Sequence, residues 1–178
     1  MSSQTKAARS IVPALLAAVI VVLDRVSKVA IQNSLGPTES IPVVPSWLRI
    51  VHTENAGAAF GFLGDGNALL RSVVLIGISS LVMIFVAISL WGHRGEFHAT
   101  ASRIGLALIF GGAAGNMYDR VVRGTVTDFI EVYHGLWSFP AFNVADSAIT
   151  VGGALLVIEL LWPRHRISVS NQTEVVQK

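Results

Sequence analysis

Between Ser72 and Trp91 the chain runs without a single charged residue. A stretch that long and apolar matches what a helix needs to cross the hydrocarbon core of a bilayer, about 20 predominantly apolar residues. With its flanks this span is expected over residues 68–91, and three more stretches approach the same length at 11–31, 104–122 and 143–162. These three carry their charges near one end: Asp24, Arg25 and Lys28 in the first, Asp119 and Arg120 in the third, and Asp146 in the fourth, with Glu159 at its far end. Composition points the same way, since 52% of residues are hydrophobic and only 13% charged, against about 25% charged in soluble domains. Too little charge is present to coat a water-facing surface. A disordered chain, a collagen-like repeat and an ordinary cytosolic enzyme are excluded, and an integral membrane protein is expected.

Lys6 and Arg9 precede the first apolar run as they would in a cleavable signal peptide, but Asp24, Arg25 and Lys28 occupy the place of a small-residue cleavage site, so a retained span is expected. One membrane domain is expected over residues 1–166, followed by a polar tail at 167–178 that is expected to be disordered and cytoplasmic. The chain has no cysteine, which removes disulfides, thiolate metal sites and a thiol nucleophile from consideration. A formal net charge of +2, scattered along the chain, does not suggest a nucleic-acid partner. The histidines are dispersed and no HExxH helix occurs, so neither a metal nor a cofactor is expected.

Four antiparallel crossings bring the ends of spans one and three and the starts of spans two and four to one face, together with the connectors 32–67 and 123–142. Asp24, Arg71, Asn116, Asp119, Arg120, Asn143 and Asp146 then gather at that face. Lysines and arginines number seven on the terminal side and six on the other, a slight preference for cytoplasmic termini. In the first connector Pro37, Pro42 and Pro45 forbid a continuous helix, Leu48 to Thr53 reads as a strand, and Gly57, Gly61, Gly64 and Gly66 mark turns. A small sheet on the membrane surface is expected there. Trp47, Trp91, Trp137 and Trp162 fall at span ends or in connectors, as rings favouring headgroup depth do.

Asp24 and Lys28, and likewise Asp119 and Arg123, are four residues apart on helices and are expected to pair. Asn116 and Arg120 share a helical face. Glycines and alanines at 111–115 let the third span pack closely on a neighbour. Asn143 can cap the fourth helix with Asp146 complementing its dipole, a reading that weighs evenly with a catalytic one when Asp146 is taken alone. Taken with Asp128, an acid flanked by Phe129 and Ile130, it suggests more. Two carboxylates held close cannot both ionise, so one keeps a proton while the other acts as base on water. Gly135 and Pro140 lie between them; proximity is allowed by the spacing, not required by it.

Four segments, NAGAAF at 55–60, GNMYDR at 115–120, VTDFI at 126–130 and FNVADS at 142–147, resemble in order the signature blocks of the bacterial lipoprotein signal peptidase family, signal peptidase II. With the four spans, the resemblance covers residues 11 to 162. It departs in the first span, which reads DRVSK at 24–28 where the family is expected to have Asp-Gln and Thr-Lys. The resemblance implies an all-α membrane protein of the bacterial inner membrane, with four transmembrane helices, a small periplasmic β-cradle at 32–67 and a short interfacial helix after Asp128. It further implies cytoplasmic termini, a site at the periplasmic face, a monomer surrounded by membrane lipids, and Asp128 and Asp146 as the catalytic pair. Asn55, Asn116, Arg120 and Asn143 become polar supports for substrate or dyad, and Asp24 a further structural or site residue. The implied substrate is a diacylglyceryl-modified prolipoprotein, cut just before its lipobox cysteine. Two other classes compete: a transporter or proton relay on Asp24, Asp119 and Asp146, disfavoured by the lack of mid-span charge, and a non-catalytic protein that binds lipidated chains.

Overall fold

The computed structural model describes residues 3–57, 68–91 and 100–162; the turns expected at Gly61, Gly64 and Gly66 and the tail at 167–178 lie outside the described residues. Four helices and a four-stranded sheet follow one another as α1 (Ser3–Ser34), β1 (Ser40–Val44), β2 (Leu48–Asn55), α2 (Ala68–Trp91), α3 (Thr100–Arg123), β3 (Val126–His134), β4 (Trp137–Ser138) and α4 (Val144–Leu161). The helix α2 has the bounds its uniform hydropathy predicts, α4 differs by one residue at each end, and α1 and α3 run longer than expected. By length and composition α2 and α4 can each cross a membrane. All four helices turn large apolar residues outward, among them Val12, Leu15 and Val19 of α1, Leu81 and Phe85 of α2, Val121 of α3 and Val157 of α4. Apolar surface on this scale marks an apolar surrounding.

The helix α3 is central and packs against the other three, and its small residues set how close they come. A side chain at Gly105 would lie 2.8 Å from the carbonyl oxygen of Gly152, and one at Gly111 2.8 Å from that of Ala17. Val86, Leu90 and Leu106 form a dry cluster between α2 and α3. The close packing expected of residues 111–115 is therefore present, and it holds α1 and α4 close against α3 and against each other.

The sheet is antiparallel in the order β1-β2-β3-β4. The strand expected at Leu48 to Thr53 is there as β2 and continues to Asn55. The interfacial helix expected after Asp128 is not: those residues form β3, paired with β2. The segment is rich in β-branched and aromatic residues, which suit a pleated surface, and β3 covers an edge of β2 that a helix would leave open. Gly124, at φ +78°, ends α3 in the left-handed conformation, its N–H donating to the carbonyl of Arg120 at 3.1 Å. That turn takes the chain off α3 and directly into β3.

A second expectation is also corrected. Asp119 does not pair with Arg123; it is buried at the α1–α3 contact, 3.0 Å from Arg25 and 2.8 Å from Lys28. Arg123 lies beyond, 3.7 Å from Glu54 of β2. A buried acid needs its cations within reach in the interior, and the solvated neighbour one turn along its own helix is not there.

Candidate active site

Polar side chains from five elements converge where the ends of α1 and α3, the start of α4 and strands β2 and β3 meet. Asn143 is the hinge of the arrangement. As N-cap of α4 its Oδ1 accepts the backbone N–H of Asp146 at 2.9 Å, while Oδ2 of Asp146 accepts the backbone N–H of Asn143 at 3.2 Å, a reciprocal capping box. The expected cap is therefore real, and it coexists with a second role. The amide of Asn143 donates to Oδ1 of Asp128 at 2.7 Å. One asparagine thus holds both aspartates, which come from different elements.

Each carboxylate has a further donor. Asn55 Nδ2 donates to Oδ2 of Asp128 at 2.9 Å, and Asn55 itself is fixed by accepting the N–H of Gly57 at 2.9 Å. Asn116 Nδ2 donates to Oδ1 of Asp146 at 2.8 Å. A register shift between Ile50 and Thr53 sets Thr53 opposite Asp128 and Asn55 opposite Val126, and such irregularities re-aim side chains. Burial of the Asp128 carboxyl, with Asp146 close by, outweighs the bonds from Asn55 and Asn143 and raises its pKa to about 6. An ordinary aspartate has lost its proton well below that.

Asp128 and Asp146 open into one cavity of about 1110 Å³, whose wall also includes Asn55, Asn116 and Arg120 on the polar side and Phe139, Phe142 and Ile149 on the apolar side. Of the residues singled out in the sequence, Asn55, Asn116, Arg120, Asp128 and Asp146 meet here, with Asn143 directly behind. Asp24 does not line the cavity. It accepts the backbone N–H of Ala145 at 3.0 Å and Lys28 at 2.8 Å, so it ties α1 to the first turn of α4. Gly115 leaves room for it, because a side chain there would fall 2.6 Å from Asp24 Oδ2.

Sequence reasoning missed two features. Glu54 also lines the cavity; burial pushes its pKa up, but hydrogen bonds from Thr125, Thr127 and His52 prevail and hold it below the usual range. Nothing in its local sequence marks it out. Arg25, one of the departures from the family motif, reaches Asp119 and lies 4.9 Å from the ring centre of Tyr118. Ser27, the other, donates to the carbonyl of Asp24 at 2.9 Å.

Apolar-faced helices around a polar cavity that holds two carboxylates define a membrane enzyme. Two solved bacterial membrane enzymes share the fold, one 31% identical with a TM-score of 0.74 over 94% of both chains, the other 29% identical with a TM-score of 0.76 over 85% of this chain and 94% of its own. A family model, signal peptidase (SPase) II, matches residues 16–162. Relatives include the lipoprotein signal peptidase of Solibacter usitatus, 42% identical over 85% of this chain and 91% of its own, and that of Pseudomonas fluorescens, 40% identical over 82% and 84%. The chain belongs to the signal peptidase II family.

Proposed function

We propose that this protein is an aspartic endopeptidase of the bacterial inner membrane that removes signal peptides from diacylglyceryl-modified prolipoproteins, cutting just before the lipidated cysteine. The observation that carries the reading is the capture of Asp128 and Asp146 by one asparagine at the wall of one cavity. One carboxylate takes a proton from water as the water oxygen adds to the scissile carbonyl, and the protonated partner donates to the carbonyl oxygen. Collapse of the tetrahedral species returns a proton to the leaving amine and breaks the C–N bond. The two roles belong to the dyad, because coupled acids titrate as a pair. Asn55, Asn116 and Asn143 hold the carboxylates, and Arg120 supplies positive charge to the cavity wall.

The four helices are four membrane crossings of a single domain over residues 1–166, with both termini in the cytoplasm, the sheet and cavity at the periplasmic face, and the chain acting as a monomer among lipids. The charges that make α1 and α3 less apolar than α2 support this, since Asp24, Lys28, Arg25 and Asp119 pair with one another inside the bundle. A lipid anchor in the bilayer then presents the scissile bond at the depth of the dyad, which removes much of the entropic cost of alignment. The test is to incubate the purified protein in detergent with a diacylglyceryl-modified precursor and an unmodified one. A cut only in the first is expected, and its loss in Asp128→Asn and in Asp146→Asn. Near-normal turnover by either variant, or equal cutting of both precursors, overturns the reading.

A further inference from the structure

Among the described residues Lys28 is the largest wholly buried side chain, and the mechanism above does not use it. Its ammonium is 2.8 Å from Asp24 Oδ2, 2.8 Å from Asp119 Oδ2 and 2.9 Å from Asn116 Oδ1. Two anions would suffice to keep one cation buried, so the third oxygen calls for another explanation. A lysine ammonium has only donors. Whatever atom of Asn116 faces it must be an acceptor, and this obliges the carbonyl end of the amide to point at Lys28. The NH₂ end then points the other way, where it donates to Asp146 Oδ1 at 2.8 Å. With the amide reversed, its carbonyl would face the carboxylate, acceptor against acceptor.

The same logic continues through the neighbouring amide. Asn116 Oδ1 also accepts from Asn143 Nδ2 at 3.2 Å, while Asn143 Oδ1 is occupied by the Asp146 backbone N–H. Asn143 is therefore held with its NH₂ toward Asp128. We infer that Lys28 is a positioning residue for the reaction: through Asn116 it sets the direction of the amide chain so that both aspartates meet N–H donors. The inference rests on the Asp128–Asp146 assignment and deepens it. Asp24 and Asp119 in turn hold the lysine, with Arg25 satisfying the other oxygen of Asp119.

A purely structural lysine and a positioning one differ in how their loss combines with loss of Asn116. Turnover of the lipidated precursor is measured in purified full-length wild type, Lys28→Met, Asn116→Ala and the double variant. Lys28→Met is expected to lower kcat by about 10- to 100-fold with KM changed less than about 3-fold, and in the Asn116→Ala background to cost less than about 2-fold more, because the route through the amide is already gone. Multiplicative losses in the two backgrounds, or a change confined to KM, overturn the inference. Should Lys28→Met fail to fold, the same cycle is run in an Asp24→Asn background, where removal of the lysine leaves no unpaired acid and Arg25 still pairs with Asp119. Cleavage that survives Asp128→Asn would remove the dyad itself. Multiplicative losses with an inactive Asp128→Asn would remove only the role of Lys28.

Discussion

The interface between α3 and α4 has two ends of opposite character. Around Gly105 and Gly152 backbone lies against backbone, with a single hydroxyl-to-carboxylate bond from Ser102 to Glu159 beyond it among the described residues, whereas around Asn116 and Asn143 the same two helices are joined by amide hydrogen bonds leading to the two aspartates. The two ends are eleven residues apart on α3, roughly 16 Å at the rise of a helix. Hydrogen bonds to carboxylates tolerate only a few tenths of an ångström of error, and the glycine end supplies that tolerance by leaving no slack in helix spacing. The polar end is thus positioned by close backbone contact at the other.

The largest effect is expected at the polar end. Asp146→Asn should lower turnover by about 10³-fold or more while leaving the melting temperature within a few degrees, because an asparagine can still accept the Asn143 N–H and keep the cap. A large fall in melting temperature with that substitution would mean that the site is a structural device. At the glycine end, Gly152→Val places its Cβ 2.5 Å from the carbonyl oxygen of Gly105, too close for an unstrained contact. Overpacking of this kind costs about 1–3 kcal/mol, so melting temperature should fall, and turnover should fall with it as the amides lose register. Normal turnover in that variant would separate the two ends.

Asp128 holds its proton to about pH 6, so turnover that needs one proton in the dyad should decline as pH rises through that value. Asn55 donates to the ionised form of Asp128; Asn55→Ala removes that preference, raises the pKa further, and should move the alkaline limb upward. A limb that stays in place or moves down would detach it from Asp128. A smaller effect again is expected at Arg49, half-buried on β2, which pairs with Glu131 of the cavity wall. Arg49→Ala should cost little stability, as loss of an ion pair with one partner open to water does, and lower kcat less than about 2-fold in the same assay; a larger loss would add Glu131 to the site.

Much of this arrangement is readable locally. The uniform apolarity of residues 72–91 defines α2, the i, i+4 spacing pairs Asp24 with Lys28, and Asn143 followed three residues later by Asp146 is a cap signal. Where sequence reading failed, the deciding partner was remote. Asp119 had a good local partner in Arg123, yet α1 offered Arg25 and Lys28 inside the bundle. The segment after Asp128 had a family-based expectation of helix, yet β2 lay beside it with backbone groups to satisfy.

Helix number, the ends of α2 and α4 and the cap at Asn143 are local matters, set by hydropathy and spacing within some tens of residues. The pairing of Asp128 with Asp146 through Asn143, the buried seat of Lys28 and the direction of its bond to Asn116 arise only when α1, α3, α4 and β3 come together. Their physical reason is shared: a buried charge or amide takes its geometry from whichever groups the packed interior brings within hydrogen-bond reach, and packing distances between helices are not written in any one of them.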